Sequence, residues 1–297
     1  MFTGLSAFPL TPVTAQGIDT SAYASLIRRL ALAGVDSIGA LGSTGSYAYL
    51  DRQERAQAVR IAVEHAAGIP VVVGVGALST RDVLLRVDDA QHAGAAGVLL
   101  SPMSYQKLTD DEVYTLYATV CAQLSVPLVV YDNPATTNFV FSDELHGRIA
   151  RLPQVASIKI PPVSAEPGEA RARVARLRAL IPEHVTLGIS GDALAVTGLN
   201  AGCDAWYSVV GGLFPEVALA ITRTARSGDA EGARLLSERL APLWQLYAEH
   251  GGSLRVIAAA AEVLGLVPAP CLPLPLKSAQ GSARAAIADR VRVLELA

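Results

Sequence analysis

Eight short apolar runs, rich in valine and isoleucine, alternate along this chain with longer amphipathic segments. Most recur at about 30 residues, the size of one strand–helix–strand unit. The runs are Leu5–Phe8, Val35–Leu41, Val71–Val75, Gly97–Leu100, Val126–Tyr131, Val155–Ile160, Val185–Ile189 and Asp204–Val210. Apolar residues on both faces of a run call for cover on both sides, the condition of a parallel strand between helices. The intervening helices are expected at Thr20–Ala33, Asp51–Ala67, from Ser79 onward, Thr109–Leu124, Ser142–Leu152, Glu169–Ile181, Ala193–Ala201 and Pro215–Arg226. Ser79-Thr80-Arg81-Asp82 fits a capping box at the third of them. Eight units of this kind fit an α/β fold of the (β/α)8 TIM-barrel type, which typically takes about 250 residues. A doubly wound open sheet would place a G-x-G-x-x-G turn after its first strand. This chain has Pro9-Leu10-Thr11-Pro12 there.

The barrel is assigned to residues 1–228 and a C-terminal helical extension, packed on it, to 229–297. Within the extension Asp229–Glu249 and Ser253–Leu264 read as helices. A Pro-rich connector over Val267–Leu276 then leads to a last helix, Ser282–Leu296. No charge run or flexible linker marks an independent second domain.

Composition narrows the partners. The 24 Lys plus Arg nearly balance 27 Asp plus Glu, and no basic run supplies the electrostatic footprint of nucleic-acid binding. The longest strongly apolar runs, such as Ile69–Leu78, fall short of the ~20 residues a membrane helix needs. Met1–Val13 has no basic stretch followed by an apolar one, so no signal peptide and a cytoplasmic location are expected. Cys121, Cys203 and Cys271 are far apart and odd in number, which suits neither a disulfide framework nor a zinc site. His65, His92, His146, His184 and His250 all fall in helices or the loops beside them and read as surface or helix residues. Asp132 and Asp192 alone would make a poor metal site, so no metal is expected.

Active sites of such barrels lie at the C-terminal ends of the strands. Lys159 stands out there, in the apolar run Val155-Ala156-Ser157-Ile158-Lys159-Ile160. Only three of the basic residues are lysines, Lys107, Lys159 and Lys277, against 21 arginines. A lysine at a strand end can snorkel to solvent. Desolvated, it favours its neutral form, which is what attack on a carbonyl requires. Arginine cannot form an imine at neutral pH, so the second reading explains why a chain that prefers arginine keeps lysine here. Tyr131, one strand away, is suited to proton relay or to simple packing. Gly42-Ser43-Thr44-Gly45 offers hydroxyls and close-approach amides to a carboxylate, although such clusters are often ordinary loops. Val209-Val210-Gly211-Gly212 could form a phosphate cradle, the less favoured use because no basic side chain stands nearby.

These motifs together resemble the dihydrodipicolinate synthase / N-acetylneuraminate lyase family of class I aldolases over essentially the whole length. The resemblance rests on Gly42-Ser43-Thr44-Gly45, Tyr131-x-x-Pro134, Ile158-Lys159, Ser190-Gly191-Asp192 and Tyr207-Ser208-Val209, in the expected order. It implies a lyase without metal or organic cofactor, assembled as a homotetramer or homodimer, acting on pyruvate or a related 2-keto acid by aldol chemistry or dehydration. By position Lys159 would form the imine and Tyr131 would shuttle protons. Ser43 with Thr44 would bind the keto-acid carboxylate and assist the relay, with Thr44 counted as catalytic. Gly45, Thr136, Ser190, Gly191, Tyr207 and Ser208 complete the expected binding set.

Departures from the synthase branch bear on substrate. Thr136 stands where that branch carries an arginine, Met103-Ser104 where it carries two tyrosines (Tyr105 follows), Ser46 where a glutamate is usual, and Ile160 where an acid follows the lysine. A substrate with a less acidic distal end is therefore expected. The alternatives are true 4-hydroxy-tetrahydrodipicolinate synthase, with Tyr105 and Thr136 compensating, and a keto-acid-binding paralogue without turnover.

Overall fold

The computed structural model describes residues 1–296. Its centre is a closed barrel of eight parallel strands. They are β1 (Gly4–Ala7), β2 (Ser37–Ala40), β3 (Val71–Gly74), β4 (Gly97–Leu100), β5 (Leu128–Tyr131), β6 (Val155–Ile160), β7 (Thr186–Ile189) and β8 (Ala205–Ser208). Each pairs with its sequence neighbour, and β8 closes on β1 with Tyr207 beside Ser6. A helix follows every strand: α1 (Thr20–Ala33), α2 (Arg52–His65), α3 (Thr80–His92), α4 (Asp110–Cys121), α5 (Asp143–Ile149), α6 (Pro167–Leu180), α7 (Ala195–Asn200) and α8 (Pro215–Arg226). The chain is therefore a (β/α)8 barrel, as its periodicity requires. Among the described residues no helix is long and apolar enough to cross a membrane.

Local chemistry sets the helix ends. Asp19 caps α1 by accepting the Ala22 N–H, and the helix stops at Gly34 in a left-handed conformation. Asp51 with Glu54, and Thr109 with Glu112, form complete capping boxes at α2 and α4. At α3 only half of the expected box forms. Ser79 accepts the Asp82 N–H, but the Asp82 carboxylate takes the Ser79 hydroxyl instead of a backbone donor.

Two apolar layers follow from strand alternation. The larger lies between the outward residues of the strands and the helices. The smaller fills the barrel with Phe8, Val72, Leu99, Val129, Tyr131, Ala205 and Tyr207. Room for the Tyr207 ring is made at Gly188, where a Cβ would stand only 2.1 Å from a ring carbon.

Among the described residues four helices follow the barrel: α9 (Ala230–Glu238), α10 (Ala241–Glu249), α11 (Ser253–Val263) and α12 (Gly281–Val293). The single helix expected over Asp229–Glu249 is thus two. Pro242 lies in the first turn of α10, where its missing N–H costs nothing but a continuous helix could not pass. The Trp244 indole N–H donates to the Ser237 carbonyl at 3.1 Å across the break. This break turns α10 toward the loop after β7, with which it is in contact. A short hairpin (Val13–Thr14 with Gly17–Ile18) and a helical turn (Pro134–Thr137) are further elements that periodicity does not reveal.

Candidate active site

Register brings the two chief candidates together: Tyr131 on β5 is paired with Lys159 on β6. The Lys159 Nζ lies 4.3 Å from the centroid of the Tyr131 ring. Both line a cavity of about 450 Å³, and Lys159 is only 6% exposed. Burial disfavours the ammonium and lowers the lysine pKa below 10.5, partly opposed by Tyr131, Asp192 and Asp132.

The Tyr131 hydroxyl lies 3.0 Å from Ser43 Oγ and accepts the Asn133 Nδ2–H at 3.0 Å. With Asn133 donating to the phenol oxygen, the phenol proton is directed elsewhere, toward Ser43 or a ligand. The hydroxyl contact expected of the Gly42–Gly45 loop thus belongs to Ser43. Thr44 lines the same cavity at 4% exposure, beside Ser43 and not hydrogen-bonded to Tyr131.

The loop after β7 carries a second construction. Gly191 has φ 82°, and a Cβ there would stand 2.4 Å from Pro162, so only glycine fits both the turn and the contact. The next residue, Asp192, receives the backbone N–H groups of Val209 and Val210 at 3.2 and 2.7 Å. It also accepts the Trp206 indole N–H at 3.1 Å and the Ser208 hydroxyl at 3.2 Å. Burial pushes the Asp192 carboxyl up to about 6 against the opposing pull of those bonds. The amides that could have cradled a phosphate are therefore occupied by the chain's own carboxylate. Ser208 is turned to Asp192 and to the Gly211 N–H and does not line the cavity.

The other expected residues divide. Ser190 and Gly191 line the cavity, although the Ser190 hydroxyl already donates to the Ile160 carbonyl at 2.6 Å. Tyr207 lines it with its ring edge-on to Phe8 and its hydroxyl 2.7 Å from Ser157 Oγ. Thr136 is exposed and lines a neighbouring outer cavity instead. Gly45 packs toward the Leu41 backbone and Thr11, away from both cavities.

Sequence reasoning missed several contributors. Asn133 was legible as part of the Tyr131-x-x-Pro134 motif but not as a donor to the phenol. Trp244, Tyr247 and Ser253, from the extension, form one wall of the cavity, and the buried Tyr247 hydroxyl has no hydrogen-bond partner among the described residues. Their signals are an aromatic pair one helical turn apart and the Gly251-Gly252 break. His146 departs from the surface reading: it is fully buried on α5, stacked on Phe141, with Nε2 3.3 Å from Asp132 Oδ2. No group of three His, Cys, Asp or Glu that could hold a metal occurs among the described residues.

Comparison with known proteins agrees with this fold. The model of the dihydrodipicolinate synthetase family matches residues 1–293. A 4-hydroxy-tetrahydrodipicolinate synthase from Methylococcus capsulatus is 32% identical over 235 residues, 78% of this chain and 79% of the relative. The crystal structure of a dihydrodipicolinate synthase from Agrobacterium tumefaciens is 42% identical, with a TM-score of 0.94 over 99% of this chain and 98% of that one. An E. coli prophage protein of the dihydrodipicolinic acid synthase family, solved in complex with pyruvate, is 25% identical with a TM-score of 0.90 over the full length of both.

Proposed function

Since this chain belongs to the dihydrodipicolinate synthetase family and is a lyase-type enzyme of it, we propose that it works on pyruvate or a related 2-keto acid through an imine on Lys159. The observation that carries this reading is the buried Lys159 amine, set over the Tyr131 ring inside the cavity. The neutral amine adds to the keto carbon, and the carbonyl oxygen takes up two protons and leaves as water. The imine then draws electrons from the adjacent carbon, which loses a proton to give an enamine. That enamine attacks an aldehyde, is formed in the other direction when the carbon–carbon bond of an aldol adduct breaks and an aldehyde leaves, or, in a dehydration, expels a protonated hydroxyl from the next carbon as water to give a conjugated imine. Tyr131, bonded to Ser43, moves the protons, and Ser43 with Thr44 receives the keto-acid carboxylate.

The test is intact mass after incubation with pyruvate and borohydride, which reduces an imine to a stable amine. An adduct mapping to Lys159 is expected. No adduct, or one mapping elsewhere, overturns the mechanism. Tyr131→Phe is expected to lower kcat by about 10²- to 10⁴-fold while the trapped adduct still forms. Undiminished turnover would remove Tyr131 from the relay.

Condensation of pyruvate with aspartate semialdehyde is the second reading, favoured by the activity named for the Methylococcus relative. Turnover of that pair at a rate comparable to other substrates would establish it. We assign residues 1–228 to the barrel and 229–297 to an extension that completes the pocket; Ala297 lies outside the described residues. Cytoplasmic residence is consistent with three unpaired cysteines. Assembly as a homodimer or homotetramer would cover Leu78 and Tyr105, 67% and 91% exposed on the loops after β3 and β4. A solution mass equal to the 30.9 kDa chain would exclude that assembly.

A further inference from the structure

We propose that the outer cavity is a subsite for a second anionic group on the substrate, anchored by Arg255, so that the preferred ligand is a dicarboxylic 2-keto acid. This rests on the reading of Lys159 as the keto-acid end of the site. The outer cavity, of about 570 Å³, shares Ser43, Thr44 and Asn133 with the Lys159 cavity. A ligand joined to Lys159 therefore has a continuous, hydroxyl-lined path outward.

Arg255 is the one charged side chain lining the outer cavity, and it is exposed there without a salt bridge among the described residues. By contrast Arg284, on the neighbouring α12, is paired with Glu262. Arg255 lies in the first turn of α11, whose N-cap, Gly252, supplies no side-chain hydrogen bond. The first amides of that helix thus add positive potential on the side where the guanidinium stands. Independently, Ser46 lines the same cavity at 2% exposure with a hydroxyl that has no hydrogen-bond partner among the described residues. A buried donor without a partner and a free planar cation match a carboxylate, which can take a bidentate bond from arginine and a third from the hydroxyl. Thr136 lines this cavity without charge. The cation that the strand-end position lacks is supplied from the extension, which revises the less acidic distal end expected from Thr136 alone.

Calorimetric titration with 2-oxoadipate and 2-oxohexanoate, equal in length and differing in the terminal carboxylate, tests the subsite whether or not an imine forms. The dicarboxylic acid is expected to bind about tenfold tighter or more, a difference of about 1.4 kcal/mol. Arg255→Gln should bring the two acids together, whereas Arg171→Gln, an exposed arginine on α6, should keep them apart. Equal affinities in the unaltered protein, or an equal loss for both acids in Arg255→Gln, would overturn the proposal. Failure to trap pyruvate on Lys159 alongside a persisting Arg255-dependent preference would condemn the imine and uphold the subsite.

Discussion

Lys159→Met is expected to abolish the borohydride-trapped pyruvate adduct and to lower turnover by about four orders of magnitude or more, as removal of a covalent nucleophile does elsewhere. Methionine keeps an unbranched side chain of nearly the same length, with sulfur in place of one methylene, and lacks the amine, so the wall of the 450 Å³ cavity is kept. The barrel should fold as before, because a desolvated amine is a cost to the folded state, not a support. The sign follows from the shift. Burial holds the folded pKa below the 10.5 of a solvated lysine, so at low pH the folded protein must bury an ammonium. That cost is relieved as pH rises from the folded pKa toward 10.5. The neutral amine accumulates as pH rises through the folded pKa, so trapping should accelerate with pH and level off below 10.5. Quenched trapping across a pH series reads this directly. A midpoint at or above 10.5 would mean that the amine is solvated and that its burial does not activate it.

Asp192→Ala should have the largest effect on stability, a loss of about 3 kcal/mol or more. The carboxylate serves two backbone amides, an indole and a hydroxyl at 2.7–3.2 Å. Its removal leaves those donors buried around a void. Asp192→Asn should be milder, since its one amide oxygen can still accept but the bond to Val210 is lost. The pH dependence separates the two contributions. With the folded carboxyl raised from 3.8 to about 6, the folded state holds its proton longer than the unfolded chain. Its contribution to stability is therefore fully present below about 3.8 and declines as pH rises to about 6. Other carboxylates act in the opposite direction, Asp89 held low by Arg52 among them. The readout is accordingly the difference between wild type and Asp192→Asn in denaturant unfolding from pH 4 to 7. If that difference stays flat, the carboxyl titrates as a solvated one.

The order of strands and helices was legible because period, caps and turn residues act within a few positions of themselves. Val155–Ile160 and Pro215–Arg226 occur as read. The missed break at Arg239-Leu240 shows the limit: an amphipathic pattern continues through a proline whose local meaning depends on where the next helix is drawn. Lys159 and Tyr131 were legible because an apolar strand makes a lysine conspicuous and strand pairing makes its neighbour foreseeable. The choice of Ser43 over Thr44 as partner of Tyr131 was not, because adjacent hydroxyls in one loop differ only in the direction the backbone gives them.

Sequence by itself therefore determined the barrel, its strand ends and the apolar setting of one lysine. Tertiary structure alone decided that Ser43 reaches a tyrosine 88 residues away. It also decided that Asp192 fills the amides of a loop that looked open to phosphate, and that Trp244, Tyr247 and Arg255 from the extension wall the two cavities. The reason is physical. Propensity and burial pattern are properties of neighbours along the chain, whereas a hydrogen bond or a cavity wall depends on orientations that exist only once the barrel has closed.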